Sequence, residues 1–180
     1  MLNHYPLHNT DVLQNYLEAY IPLVQYQLDQ FGIDIKRETF HGDHLGLQVL
    51  SSQEFDEAHS LITQYAKTIK QGRIHDRRNN TYKLNQFIKA HDVQIQSIEM
   101  FEPKPDADLN KLKPGFEHIS IFVQDYDNLY TYFVENNLPI SKSVDLNGSR
   151  FFKTKFVNLV EVEFRDSYLW EALEKDSINA

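Results

Sequence analysis

Asp43-His44-Leu45-Gly46-Leu47-Gln48-Val49 is matched later in the chain by Glu117-His118-Ile119-Ser120-Ile121-Phe122-Val123. Both stretches read acid, His, aliphatic, small residue, aliphatic, any residue, Val. In each, the His and the small residue fall on one side of a period-two pattern and the aliphatics on the other, as in a half-buried strand. Each copy is followed by an acidic amphipathic stretch of helical period. Strand-like runs then end in apolar-Glu-apolar: Ile98-Glu99-Met100 in the first half and Val160-Glu161-Val162 in the second. An internal repeat constrains the fold more strongly than any single element. This one predicts two modules, each giving a His from its first strand and a Glu from its last.

Working outward, Gly42 marks a turn before the first strand, which is expected to run to about Leu50. Ser51 or Ser52 can cap a helix whose apolar stripe is Phe55, Ala58, Ile62, Tyr65, Ala66 and Ile69, with Gly72 closing it. Residues 73–80 read as a short strand and a turn, and 82–89 and 93–101 as strands. Residues 102–114, with Pro103, Pro105 and several charges, form the clearest linker, closed by a turn signal at Lys113-Pro114-Gly115. The second copy repeats the order. It has a strand at 117–123, a helix at about 125–137, a hairpin of 140–145 and 150–156 around Asn147-Gly148, and a last strand at 158–164. A short helix at 166–175 carries Trp170. The expected organisation is an N-terminal helical region (1–36), a first module (37–101), a linker (102–114) and a second module with a C-terminal helix (115–180).

The N-terminal region shows Val12, Leu13, Tyr16, Leu17, Tyr20, Val24 and Leu28 at helical spacing. Thr10 or Asp11 can cap it and Gly32 can end it. Pro22 inside the pattern predicts a kink or two shorter helices. Packing against the repeat unit is the favoured role. Tyr16, Tyr20 and Tyr26 are the aromatics that a dimer contact would use instead.

Composition bounds the function. The 180 residues are 41% hydrophobic and 24% charged, which fits a globular protein rather than a disordered one. The net charge of −8 argues against nucleic acid or an anionic membrane as partner, because phosphate binding needs a basic face. With no cysteine, disulfides, thiolate metal sites and Cys nucleophiles are excluded. No apolar run approaches a membrane span and no signal peptide is evident, so the cytoplasm is the expected location.

Along the predicted strands, His44, Gly46 and Gln48 share a face, as do His118, Ser120 and Phe122. Glu99 lies on a face with Ser97, and Glu161 with Glu163. Small residues beside each His leave room near the sheet. Two imidazoles and two carboxylates converging there would make a divalent-metal site with open positions. Imidazole suits Zn, Fe, Ni or Cu, and carboxylates add affinity for Mn. The expected ligands are His44, Glu99, His118 and Glu161 or Glu163, the last two left open. His41 is a further His whose direction Gly42 makes unreadable. Taken singly, each of these residues is more often structural; their recurrence at equivalent places of two copies is what singles them out.

Paired strand-helix-strand-strand-strand modules with a His near the start and a Glu in the last strand resemble the vicinal oxygen chelate superfamily of glyoxalases and extradiol dioxygenases. Asn158-Leu159-Val160-Glu161-Val162 is similar to its common last-strand motif. More closely, Asp43-His44-Leu45-Gly46-Leu47, Gly72-Arg73, Tyr82-Lys83-Leu84, Ile98-Glu99-Met100 and Gly115-Phe116-Glu117-His118-Ile119 resemble the YecM-like family, over about 30–165. The resemblance implies an α+β fold of two βαβββ modules whose curved mixed sheets surround a metal-binding cavity. It implies a divalent cofactor (Zn, Mn, Ni or Fe) that binds vicinal oxygens of a small-molecule substrate. The expected function is therefore a metal-dependent enzyme of the isomerase, lyase or oxygenase class acting on a small oxygen-rich compound. The alternative is a metal or small-molecule binding protein without turnover. A monomer or simple homodimer is expected, since two modules in one chain already complete a cavity.

Overall fold

The computed structural model describes residues 7–34, 40–74, 76–110, 112, 115–146, 149–155 and 161–178. The expected turns at Lys113-Pro114 and Asn147-Gly148, and the opening of the last strand at 158–160, lie outside them, as does His75.

The repeat is built as two βαβββ units. The first comprises β1 (Phe40–Gln48), α2 (Ser52–Ile62), β2 (Ala66–Ile74), β3 (Arg77–Ala90) and β4 (Val93–Phe101). It follows helix α1 (Thr10–Asp29). The second comprises β5 (Gly115–Val123), α3 (Tyr126–Glu135), β6 (Lys142–Leu146), β7 (Ser149–Lys155) and β8 (Glu161–Arg165), followed by α4 (Leu169–Ile178). All eight strands join one mixed sheet in the order β2-β3-β4-β1-β5-β8-β7-β6. The two first strands meet antiparallel at its centre, and each runs parallel to the last strand of its own unit. The sheet is therefore pseudo-symmetric about the β1–β5 pair.

Each central strand sends its aliphatics to the helical side. Leu45, Leu47, Ile119, Ile121 and Val123 are all buried in the main core. In the second unit that core is aromatic: Phe152 of β7 lies 4.9 to 5.7 Å, ring to ring, from Tyr126, Tyr130, Phe133 and Phe164. Between β4 and β5, no helix or strand occurs among the described residues.

Several expectations are corrected. The helix expected to run to Ile69 and Gly72 stops at Ile62. Residues 66–74 instead pair antiparallel with β3, from Ala66 opposite Leu84 to Ile74 opposite Arg77. Tyr65, Ala66 and Ile69 keep a helical spacing, but the open edge of β3 supplies strand hydrogen bonds, and β-branched Thr68 and Ile69 suit an extended edge. The start of α2 follows the capping logic: Ser51 Oγ accepts from Glu54 N, and the Glu54 carboxylate reaches back to Leu50 N.

α1 is one 20-residue helix through Pro22, not two, and its cap is Asn9 rather than Thr10 or Asp11, with Oδ1 accepting from Val12 N. The proline cannot donate to the carbonyl four residues back, Glu18 O. His91 Nε2, in the β3–β4 turn, donates to that carbonyl at 3.0 Å. The orphaned acceptor is thus satisfied from outside the helix. Gly32 lies just beyond the helix end at φ 73, a left-handed turn where a Cβ would meet Tyr132 Oη at 2.9 Å. Tyr20 is buried and Tyr16 packs on Phe116 (5.1 Å), so of the three tyrosines only Tyr26 is exposed. No helix among the described residues is long and apolar enough to cross a membrane.

Candidate metal centre

The face of the sheet opposite the main core carries the polar repeat residues. Both central strands slip register where the repeat's acid stands. Gly42 pairs with Ile121 but Leu45 with Ile119; Gly46 pairs with His118 but Leu47 with Phe116. Each slip inserts an extra residue, Asp43 beside His44 and Glu117 beside His118. A bulge of this kind re-aims its neighbouring side chain. The two acids then diverge: Asp43 is fully buried and Glu117 is exposed.

The two imidazoles meet edge to face at 85°, with Nε2 to Nε2 at 3.1 Å. Asp43 Oδ2 lies 2.8 Å from His44 Nδ1. A buried carboxylate there must accept, so His44 Nδ1 donates to Asp43 and its Nε2 faces His118. Asp43 is itself held by Leu169 N at the start of α4 (3.1 Å to Oδ2). A helix N-terminus favours its negative charge.

Glu99 completes a cluster. Its Oε2 is 3.8 Å from His44 Nε2 and 3.9 Å from His118 Nε2, while its Oε1 accepts from Asn79 Nδ2 at 3.0 Å. His44, Glu99 and His118 form a group whose donor atoms all lie within 4.8 Å of one another. The triangle with sides 3.1, 3.8 and 3.9 Å has a point about 2.1 Å from all three donors. That distance is an ordinary metal–imidazole bond length, so these residues fit a single ion. Both imidazoles are buried, and Glu99 is the opening, with 20% of its side chain exposed.

The other predicted residues are not part of this group. Glu163 is buried, and its Oε1 comes to 3.8 Å from His44 Nε2. It is outside the mutually close group, and two cations hold it: Arg165 Nη1 donates to Oε1 at 2.8 Å and Lys153 Nζ lies 3.1 Å from Oε2. Ser120 Oγ also donates to Oε1 at 3.2 Å. Glu161 stands opposite His118 in the ladder, and its carboxylate meets Ser141 Oγ at 3.4 Å. His41 is exposed, its ring beside Phe122 at 6.1 Å, and takes no part in the cluster.

The electrostatics agree with this division. Burial first, and Lys153 second, hold His118 well below the usual imidazole range, against the pull of Glu163. The neutral ring is the form that binds metal. Burial pushes the Glu163 carboxyl up, but Lys153, the two imidazoles and Arg165 together outweigh it and hold the group well below the usual carboxylate range. Burial lowers Arg165, yet Glu163 and Asp43 leave it above its ordinary value.

Sequence reasoning missed three of these partners. Asp43 carried a signal, as the acid immediately before the repeat's first His. Lys153 and Arg165 carried none, since a lone cation on an alternating strand reads as solvated. A cavity of about 380 Å³ lies on the other side of the sheet, lined among others by Phe55, His59, Arg73 and Arg78, and includes none of the predicted ligands.

Comparison with known proteins adds the following. The family model described as YecM protein matches residues 9–164. No curated protein matches the sequence. Among solved structures, the structural-genomics protein EC4020 is similar at 16% identity, with 90% of each chain covered and a TM-score of 0.71, a likeness of fold. Hypothetical protein BH1468 from Bacillus halodurans C-125 (17% identity, 71% of this chain and 94% of that one) has a TM-score of 0.49. Methylmalonyl-CoA epimerase from Mycobacterium tuberculosis (14% identity, 69% and 85% covered) has 0.48.

Proposed function

Because the chain belongs to the YecM protein family, with the paired βαβββ fold of the vicinal oxygen chelate type, we propose that it is a divalent-metal protein whose ligands are His44, Glu99 and His118. The observation that carries this reading is the donor triangle, with a common point about 2.1 Å from three side chains drawn from three strands. Two imidazoles and one carboxylate suit Zn, Mn, Ni or Fe. The reading extends to an enzyme acting on a small oxygen-bearing substrate. The ion, when bound, would supply Lewis-acid polarisation of a substrate oxygen.

The chain's own residues do the rest. Asp43 fixes the His44 tautomer and ring direction. Phe101 lies beside the His118 ring, near-parallel at 6.2 Å between centroids. Asn79 anchors one Glu99 oxygen, and the other faces the two imidazoles. The test is metal analysis of protein purified without an affinity tag, followed by turnover on a panel of diol, α-keto and catechol compounds. Stoichiometric metal that is lost in His118→Ala supports the centre. Unchanged metal content in that variant overturns it.

A further inference from the structure

The pseudo-symmetry of the sheet poses a question about the fourth carboxylate. In the first unit Gly46 stands opposite Glu99; in the second, the equivalent Ser120 stands opposite Glu163. Glu163, not Glu161, is therefore the symmetry partner of Glu99, and a strictly repeated site would use both. One oxygen of each carboxylate has a hydrogen-bonding anchor, and in Glu163 that anchored oxygen is also the one 3.8 Å from His44 Nε2. Glu99 Oε1 is anchored by Asn79, and Glu163 Oε1 by Arg165 and Ser120. They differ at Oε2. That of Glu99 is turned to both imidazoles, whereas that of Glu163 is taken by Lys153 Nζ at 3.1 Å.

The ladder shows where the difference arises. On the outer neighbour of each last strand, Thr81 stands opposite Glu99 and Lys153 opposite Glu163. Thr81 is short and uncharged. Lys153 reaches across, its side chain 13% exposed, and ends between Glu163 and His118, whose Nδ1 is 3.5 Å from Nζ. Lys153 in the place of Thr81, with Arg165 in the place of Phe101, breaks the symmetry of the repeated constellation around Glu163.

We propose that Lys153, by taking Glu163 Oε2 while Arg165 holds Oε1, withholds Glu163 from coordination, so that the centre takes its ion with three protein donors instead of four. This rests on the reading that the centre binds metal. The consequence is chemical. With Glu163 paired to Lys153 and Arg165, only Glu99 puts negative charge on a divalent ion. The ion then keeps a net positive charge and one more open position for an anionic oxygen of a substrate. Lys153 is in these terms a specificity-determining residue.

The experiment is a double-mutant cycle read as metal affinity, by chelator competition with Zn²⁺ and with Mn²⁺, on wild type, Glu163→Gln, Lys153→Thr and the double variant. Lys153→Thr restores the residue type of the first unit. In wild type, Glu163→Gln is expected to change Kd by less than about threefold. Lys153→Thr is expected to tighten binding by about tenfold or more, and Glu163→Gln in that background to abolish the gain. Crystal structures of the Zn²⁺-loaded proteins give an independent readout that does not depend on the stability of the glutamine variants. A Glu163 oxygen at about 2.0–2.2 Å from the ion is expected in Lys153→Thr and not in wild type. Zinc-loaded wild type with Glu163 already bonded to the ion overturns this inference alone. So does a Lys153→Thr protein with unchanged affinity and three donors. Wild type that takes up neither metal overturns the reading of the centre and the inference with it.

Discussion

The His118 ring occupies the space that a side chain on Gly46 would need: a Cβ built there would lie 2.0 Å from His118 Cε1 and 2.3 Å from its Nδ1. The two residues face each other across β1 and β5, so the glycine is what lets the imidazole lie flat over the neighbouring strand toward His44. Gly46→Ala should expel the ring from this position. The expected result is loss of metal affinity by about a hundredfold or more, with an overpacking cost of about 1–3 kcal/mol. Chelator competition and urea unfolding measure the two effects. An alanine variant that binds metal like wild type would show that the ring has another productive position.

Asp43 links two parts of the molecule. Its carboxylate receives His44 Nδ1 at 2.8 Å and the backbone N of Leu169, the first residue of α4. An outer carboxylate on a ligating imidazole is typically worth about 10–100-fold in metal affinity. Asp43→Asn should lose that much while keeping the fold, because the amide oxygen can still accept one of the two bonds. A circular dichroism spectrum like wild type, with weakened Zn²⁺ binding in competition, is the expected pair of results. Undiminished affinity would make Asp43 a support for α4 only.

How far the sequence could be read follows from what is local. The acid-His-aliphatic-small pattern placed two equivalent strands, and these now pair at the sheet centre. The same alternation put Glu161 and Glu163 on one face and could not separate them. The distinction is the parallel register of β8 on β5, His118 opposite Glu161 and Ser120 opposite Glu163, and register is set by contacts distant in sequence. The end of α2 was misread for a related reason. Tyr65, Ala66 and Ile69 fit a helix stripe, but β2 owes its strand form to pairing with β3, which local spacing does not encode. Lys153 and Arg165 were invisible as site residues because their significance is the buried Glu163 between them.

The unbroken course of α1 depends on a partner outside it. Pro22 leaves the Glu18 carbonyl without its helical donor, and His91 Nε2 supplies one at 3.0 Å. His91→Ala should therefore destabilise the protein by about 1 kcal/mol, a typical net value for one hydrogen bond. Restoring the donor inside the helix with Pro22→Ala should make the His91 substitution nearly neutral. Urea unfolding of the two single variants and the double variant gives the coupling directly. Additive effects would mean that His91 does not substitute for the missing helical bond.

The remaining prediction concerns acid. Glu102 follows β4 and is buried at 9% exposure; its Oε1 accepts from Arg78 Nε at 2.7 Å and its Oε2 from Arg78 N at 3.1 Å. Burial works against its charge, but hydrogen bonds from Ser52 and Arg78 and the Arg78 charge outweigh that and hold the carboxyl below its usual range. The folded protein thus binds a proton here less readily than the unfolded chain. The stabilisation is fully present above the unfolded carboxyl value of about 4.3 and is lost as pH falls through the lower folded value. Glu102→Gln should cost about 1–3 kcal/mol at pH 7, the range for a charged hydrogen bond with a buried partner. The difference between variant and wild type should shrink as pH falls below about 4. Urea unfolding at pH 7, 5, 4 and 3 measures it. A gap that stays constant across that range would mean that the Arg78–Glu102 charge contributes nothing and that only packing is lost in the glutamine variant.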